Sequence, residues 1–201
     1  MEAEICEEPA TGLEEYARVS IAFEVDRVLL EQSTAAGSFE GLPFCEQPLI
    51  RPYVKNYDLL EGNHPRDWEA RFDLSGWGLF SARTEGVRVG GALVAHRDES
   101  VRLLEGRGDL ALLWDLRVSP TQRGSGVGSA LLRAVEHWAV ARGCRQLGVE
   151  TQNTNVVACR FYARRGFELR AINRFAYPEV PDEIQLLWHK DLRHSEAAPL
   201  G

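Results

Sequence analysis

The run LALLWDLRV (110–118), followed by SPTQRGSGVG (119–128), decides the fold. The first piece is almost continuously apolar, as a strand is when both of its faces are covered. Ser119-Pro120 stops it. From 125 to 142 the apolar residues Val127, Leu131, Ala134, Val135 and Trp138 recur at helical spacing, and Gly143 ends the helix. A buried strand therefore runs through a glycine-rich turn straight into a helix N-terminus. Glycines at 124, 126 and 128 remove side chains where the backbone must turn. They leave N–H groups from Gly124, Ser125, Gly126, Val127, Gly128 and Ser129 free to converge on an anion. The helix dipole adds partial positive charge there, and Arg123 adds a full one. This pattern reads as a pyrophosphate cradle. It lacks the GK[ST] ending of a P-loop, and Ser129 stands where a dinucleotide fingerprint needs Gly or Ala. The bland alternative is a tight turn that merely needs glycine.

Downstream, Gln146–Thr151 reads as a strand and Asn155–Arg165 as a helix ending at Gly166. Phe167–Tyr177 and Glu183–Lys190 read as two closing strands. Upstream, Trp77–Arg83 and Val87–His96 flank the hairpin signal Thr84-Glu85-Gly86. Val19–Leu30 suits a strand, with a helical reading left open. Gly37–Pro52 reads as loop with a short extended piece around Leu49–Tyr53. Asn63 or His64 caps an expected helix carrying Pro65, Trp68 and Phe72, closed by Gly76. The order gives an α/β fold, or α+β with a mixed sheet. The expected organisation is an acidic frayed leader at 1–16, one domain at 17–192 and a polar tail at 193–201.

The chain has 201 residues, 44% hydrophobic and 26% charged, which suits one globular domain and not a disordered or collagen-like chain. No run of about 18 apolar residues marks a membrane helix. The start has neither a basic nor an apolar signal region, so a cytoplasmic protein is expected. Cys6, Cys45, Cys144 and Cys159 are widely spaced, as reduced thiols are, and neither they nor the five histidines show metal spacing. Of the net charge of −7, six units come from glutamates in 1–16, so the body of the chain is nearly neutral. That balance argues against a nucleic-acid partner.

Arg123-x-x-Gly126-x-Gly128, preceded by Val118-x-Pro120, resembles the coenzyme A loop of the GNAT superfamily of N-acetyltransferases. Asn155-x-x-Ala158-x-x-Phe161-Tyr162-x-x-x-Gly166-Phe167 resembles that superfamily's second cofactor segment. The two lie in the expected order and cover roughly 110–170. The stretches 150–163 and Tyr177-Pro178-x-x-Pro181-x-Glu183-Ile184 are similar to streptothricin acetyltransferases, with a weaker likeness through 53–58. The resemblance implies a mixed, mostly antiparallel central sheet flanked by helices, with a splayed strand pair forming an acetyl-CoA cleft. It implies acetyl-CoA as cosubstrate, no metal, and a homodimer of the kind relatives often form.

Acetyl transfer to an amine needs a neutral attacking nitrogen, a stabilised oxyanion and a proton for the departing thiolate. A lysine-type amine, with a pKa of about 10.4, arrives protonated, and a carboxylate can take that proton. By resemblance Glu150 is the base and Tyr162 the general acid. Asp115 reads as an anchor for the substrate ammonium, with the roles of the two carboxylates exchangeable. Its other reading is an internal ion pair with Arg117, which shares its face at i+2. Asn155 would bond the pantetheine amide, or cap its helix, or both. The pantetheine arm would add to the strand edge at Leu116–Val118. Tyr57, Asp58, Tyr177 and Glu183 are acceptor-site candidates, each with a reading as an ordinary loop polar or strand aromatic residue.

The expected substrate is a small cationic amine, a streptothricin-type antibiotic first of all. A protein N-terminus, a polyamine or an aminoglycoside is the alternative acceptor. A non-catalytic acetyl-CoA-binding module is the reading of a different class.

Overall fold

A computed structural model describes residues 3–32 and 42–193. In chain order its elements are β1 (Glu4–Glu8), α1 (Leu13–Tyr16), β2 (Phe23–Glu31), β3 (Phe44–Lys55), β4 (Gly78–Thr84), β5 (Val87–Ala95), β6 (Leu110–Val118), α2 (Val127–Ala141), β7 (Gln146–Gln152), α3 (Val156–Ala163), β8 (Glu168–Asn173) and β9 (Gln185–Asp191). The fold is mixed α/β with mostly antiparallel strands, and it divides into two compact units.

The first unit joins residues up to Ala22 with Asn56–Leu147 and the chain from Asp191. Its strands run in the order β1-β4-β5-β6, each antiparallel to its neighbour. Strand β6 holds the span the sequence predicts, and α2 packs over β4, β5 and β6. Close approach is possible because Gly90 on β5 lacks a Cβ, which would sit 3.1 Å from Val127 and 3.2 Å from Leu131. On the other side lies a core of Leu13, Tyr16, Trp68, Leu74, Trp77, Leu79, Leu93 and Leu104.

The acidic leader, expected to be frayed, is structured over its described residues from 3 to 16. It forms β1 against β4, and α1 buries Leu13 and Tyr16. Three of its glutamates have partners far along the chain. Glu8 accepts from Ser81 Oγ at 2.6 Å and pairs with Arg83 and Arg88, while Glu15 pairs with the same two arginines. Glu7 accepts from the Trp138 indole at 2.9 Å. The charge of Glu8 and Glu15 is thus local in sequence but offset in space by Arg83 and Arg88.

The helix expected after His64 does not propagate. His64 does cap a turn, its Nδ1 accepting from Arg66 N, but Pro65–Asp67 and Leu74–Gly76 are single 3-10 turns. Asp73 restarts the chain by capping Ser75 N. Trp68 and Phe72 instead join Trp77 around Trp114, with ring centroids 4.9–6.3 Å apart. Aromatic packing holds this segment together with isolated turn hydrogen bonds such as Phe72 N to Trp68 O at 2.9 Å.

The second unit joins Phe23–Lys55 with Gly148–Lys190. Its strands β7, β9 and β8 lie side by side in that order, with β8 antiparallel to β9, and β2 and β3 form a separate antiparallel ribbon. The stretch expected to be mostly loop to Pro52 thus supplies a twelve-residue strand from Phe44. Residues 33–41, which include the first part of the expected loop at 37–41, lie outside the described residues, as does the tail from 194. Two prolines hide this strand from its sequence. The ladder slips between Val25 and Arg27, opposite Tyr53 and Pro48, so Pro52 lies in the slipped stretch where no ladder N–H is required.

Along β7 and just past it the side chains alternate. Thr151 accepts from the buried Trp188 indole at 2.8 Å, and buried Asn153 donates to Leu29 O and accepts from Ile184 N. Glu150 and Gln152 point to the opposite face.

Candidate active site

In the first unit the glycine turn has the shape its sequence demands. Gly124 and Gly126 take φ of +80° and +98°, and a Cβ on either would meet open space. Gly126 is the N-cap of α2 and brings no side-chain cap. The first-turn N–H groups of Val127 and Gly128 have no intrahelical acceptor, and the dipole makes this end of α2 positive. Ser125 turns its hydroxyl inward to Gln122 O, and Ser129 N bonds back to Gly126 O at 3.0 Å. An anion over this turn meets the backbone N–H groups of Val127 and Gly128.

Arg123 lies against the backbone beside this turn. Its guanidinium is engaged by backbone carbonyls: Nε donates to Val118 O at 3.2 Å and Nη2 to Ala22 O at 2.7 Å. It ties the chain before β2 to the end of β6, and its charge sits beside the turn.

Strand β6 carries a bulge. Leu93 faces Asp115 and Val94 faces Leu113, so Trp114 is the extra residue. Beyond it, Leu116 and Val118 pair with Ala92 and Gly90. Asp115 takes the ion-pair form. It accepts from Arg117 Nε at 2.9 Å and Nη2 at 2.8 Å, and from the Tyr16 hydroxyl. Asp58, in the turn Tyr57–Leu59, pairs with the same Arg117, both oxygens at 3.2 Å. Tyr57 beside it is half-buried. Both Asp115 and Asp58, expected to meet substrate, therefore have a guanidinium for a partner.

In the second unit Glu150 is the centre of a polar cluster. Its Oε1 accepts from the Tyr177 hydroxyl and from Gln152 Nε2 at 3.1 Å, and its Oε2 from Gln185 Nε2 at 2.8 Å. Gln152 also donates to the Tyr177 oxygen at 2.8 Å. Burial pushes the Glu150 carboxyl above its ordinary value, and the hydrogen bonds from Tyr177, Gln185 and Gln152 act against burial. A carboxylate raised in this way, yet fully hydrogen-bonded, has the character of a proton acceptor.

Tyr162 is buried on α3, its ring edge-on to Phe161 at 5.1 Å and to Phe167 at 5.3 Å. Asn155 caps α3, accepting from Ala158 N at 3.1 Å through Oδ1, which leaves its amide N–H2 pair as donors. Glu183, the remaining acceptor candidate, pairs with Lys55, and both side chains are 11% exposed. Among the described residues no group of three His, Cys, Asp or Glu is placed to hold a metal ion.

A family profile described as acetyltransferase (GNAT) matches residues 47–167. The chain belongs to the GNAT family. An Escherichia coli streptothricin acetyltransferase is 39% identical over 84 residues, 40% of this chain and 48% of that one. The alignment to such curated relatives thus spans about half of their length. A Streptomyces lavendulae streptothricin acetyltransferase is 27% identical over 88% of this chain and 84% of its own. A solved Bacillus anthracis structure named for streptothricin acetyltransferase, in complex with acetyl coenzyme A, superposes with a TM-score of 0.73. It is 21% identical and covers 95% of this chain and 99% of its own. At that identity it shows the shared fold.

Two neighbours of the candidate residues escape a linear reading. Gln185 meets Glu150 only through strand pairing, and Tyr16 closes on Asp115 from 99 residues away, whereas the Arg117 pair is legible at i+2. Gln152 carries a signal, since it shares a strand face with Glu150 at i+2.

Proposed function

We propose that this protein is an acetyl-CoA-dependent N-acetyltransferase that acylates a primary amine of a small cationic substrate, a streptothricin-type antibiotic first of all. Family membership and the streptothricin acetyltransferase relatives support the reaction class. The observation that carries the mechanism is the hydrogen-bonded, raised carboxyl of Glu150.

The open glycine turn holds the pyrophosphate on the first-turn N–H groups of α2. Leu116 and Val118 offer backbone groups to the extended pantetheine arm, and the Asn155 amide bonds one of its carbonyls. Glu150 removes the ammonium proton, so that the amine nitrogen attacks the thioester carbon. Tyr162 gives its phenolic proton to the departing sulfur and regains one from solvent. Tyr177 bonds Glu150 and holds its orientation. Asp58, Tyr57 and Glu183 lie on the segments that resemble the streptothricin enzymes and receive the cationic acceptor.

The test is CoA release from acetyl-CoA in the presence of streptothricin, with free lysine and an aminoglycoside in parallel. Rapid release with streptothricin alone is the expected result. Release with the aminoglycoside alone moves the acceptor to that class. No release with any of the three, from a protein that binds acetyl-CoA, overturns the proposal.

A further inference from the structure

The guanidinium of Arg117 has no exposed side-chain surface, and every N–H it owns is used. Nε donates to Asp115 Oδ1, Nη1 to Val19 O and Asp58 Oδ2, and Nη2 to Asp58 Oδ1 and Asp115 Oδ2, all between 2.8 and 3.2 Å. Five donors meet five acceptors. Its plane also lies over the Tyr16 ring, 4.8 Å from the centroid. One side chain thus joins three separate stretches of chain: the end of β6, the segment after α1, and the turn at Tyr57–Leu59.

Such a node is costly as mere glue. A buried ion cluster returns little net stability over an apolar replacement, because desolvating the charges offsets their attraction. What it does supply is position. Two carboxylates face one guanidinium, so the node carries an unbalanced carboxylate. Asp58 is the more accessible of the two carboxylates, with 12% of its side chain exposed against 7% for Asp115.

We propose that Arg117 is a positioning residue for the acceptor: it fixes the Asp58 turn on the end of β6, so that the exposed edge of Asp58 presents a preset negative site to an incoming ammonium. The inference rests on the N-acetyltransferase reading and deepens it by assigning the charge preference of the acceptor to this node. Lysine is no substitute, since three donors on a single nitrogen cannot bridge five acceptors in a plane.

Two variants and two independent measurements test it. Asp58→Asn keeps the size of the side chain and one of the two acceptors of Arg117, and removes the unbalanced charge. Arg117→Lys keeps the charge and loses the bridge. For Asp58→Asn the KM for streptothricin rises about tenfold, while acetyl-CoA affinity stays within about twofold. For Arg117→Lys the KM rises likewise, and amide hydrogen exchange speeds up at 56–60 and 16–22 but not in β4 and β5. A merely structural role gives a different pattern, in which acetyl-CoA affinity, streptothricin KM and exchange across the unit all worsen together; that pattern overturns the proposal. So does an unchanged KM in Asp58→Asn, or unchanged exchange at 56–60 in Arg117→Lys. If the wild-type protein acetylates no amine, the N-acetyltransferase reading fails and takes the acceptor role with it. The exchange measurement needs no turnover and still decides whether Arg117 holds the turn.

Discussion

Tyr177 stands between Gln152 and Glu150, accepting from the first at 2.8 Å and donating to the second. The chain of donors orders the carboxylate and opposes the effect of burial on its proton affinity. A base in this setting works only when deprotonated, so amine kcat/KM should rise with pH along an acidic limb governed by Glu150. Tyr177→Phe removes one donor to the ionised form and leaves the ring. The limb should therefore move to higher pH, with Gln185→Leu moving it the same way. A pH profile of kcat/KM for the three proteins checks this. A limb that stays put or moves down in Tyr177→Phe sinks the role given to Tyr177.

Glu150→Gln should separate activity from stability. Turnover falls by about 10²–10⁴-fold if Glu150 is the general base. Stability moves the other way. A carboxyl whose folded pKa is raised contributes stability that is present when it is protonated and lost as pH rises through the folded value. At neutral pH the ionised Glu150 therefore weakens the fold relative to a neutral amide. The variant should melt higher than wild type at pH 7, with the gap closing as pH falls below the ordinary carboxyl value of 4.5. Thermal melts at several pH values check the sign. A variant less stable at pH 7 would mean that the cluster serves structure first.

What the sequence reveals of this molecule depends on how local the cause is. Strand β6, the glycine turn and α2 follow from neighbours a few residues apart, and they stand where the sequence puts them. The Asn155 cap and the end of α3 are legible for the same reason. Strand β3 is not, because its two prolines read as breakers and the slip in its pairing with β2, which accommodates Pro52, is invisible in the sequence. The leader misleads in the same way: Glu8 and Glu15 look repulsive until Arg83 and Arg88 come beside them. At the site, Glu150 and Tyr162 are picked out by their motif, whereas the donors that tune Glu150 come from β9 and from Tyr177. Asp115 has two readings in sequence, and only the fold supplies Tyr16 and so completes the ion pair.

The thiols give a test of the burial pattern. Cys159 is fully buried and its pKa is pushed up to about 12 by burial, and burial takes Cys144 to about 11. Cys6 and Cys45 are partly exposed. Thiolate is the reactive form, so the two buried thiols should resist a disulfide reagent until the protein unfolds. Titration of the native protein should modify Cys6 and Cys45 promptly and all four cysteines only in denaturant. Prompt native labelling of Cys159 would contradict the packing of α3 on β7.

The glycine turn can be tested against a control built into the same unit. Gly126 and Gly86 share two properties: both have positive φ, +98° and +79°, and a Cβ on either would enter open space. Alanine at either position costs the left-handed strain of an L-residue, about 1–2 kcal/mol, with no clash inside the protein. They differ in place, since Gly86 turns a hairpin and Gly126 starts α2 beneath the expected pyrophosphate. Both variants should therefore lose similar stability in a chemical melt. Only Gly126→Ala should weaken acetyl-CoA, by about tenfold, because its strain is relieved by rotating the N–H groups that would hold the phosphates. Equal acetyl-CoA affinity in the two variants would return the turn to its bland reading, a strand-to-helix corner that needs glycine for shape alone.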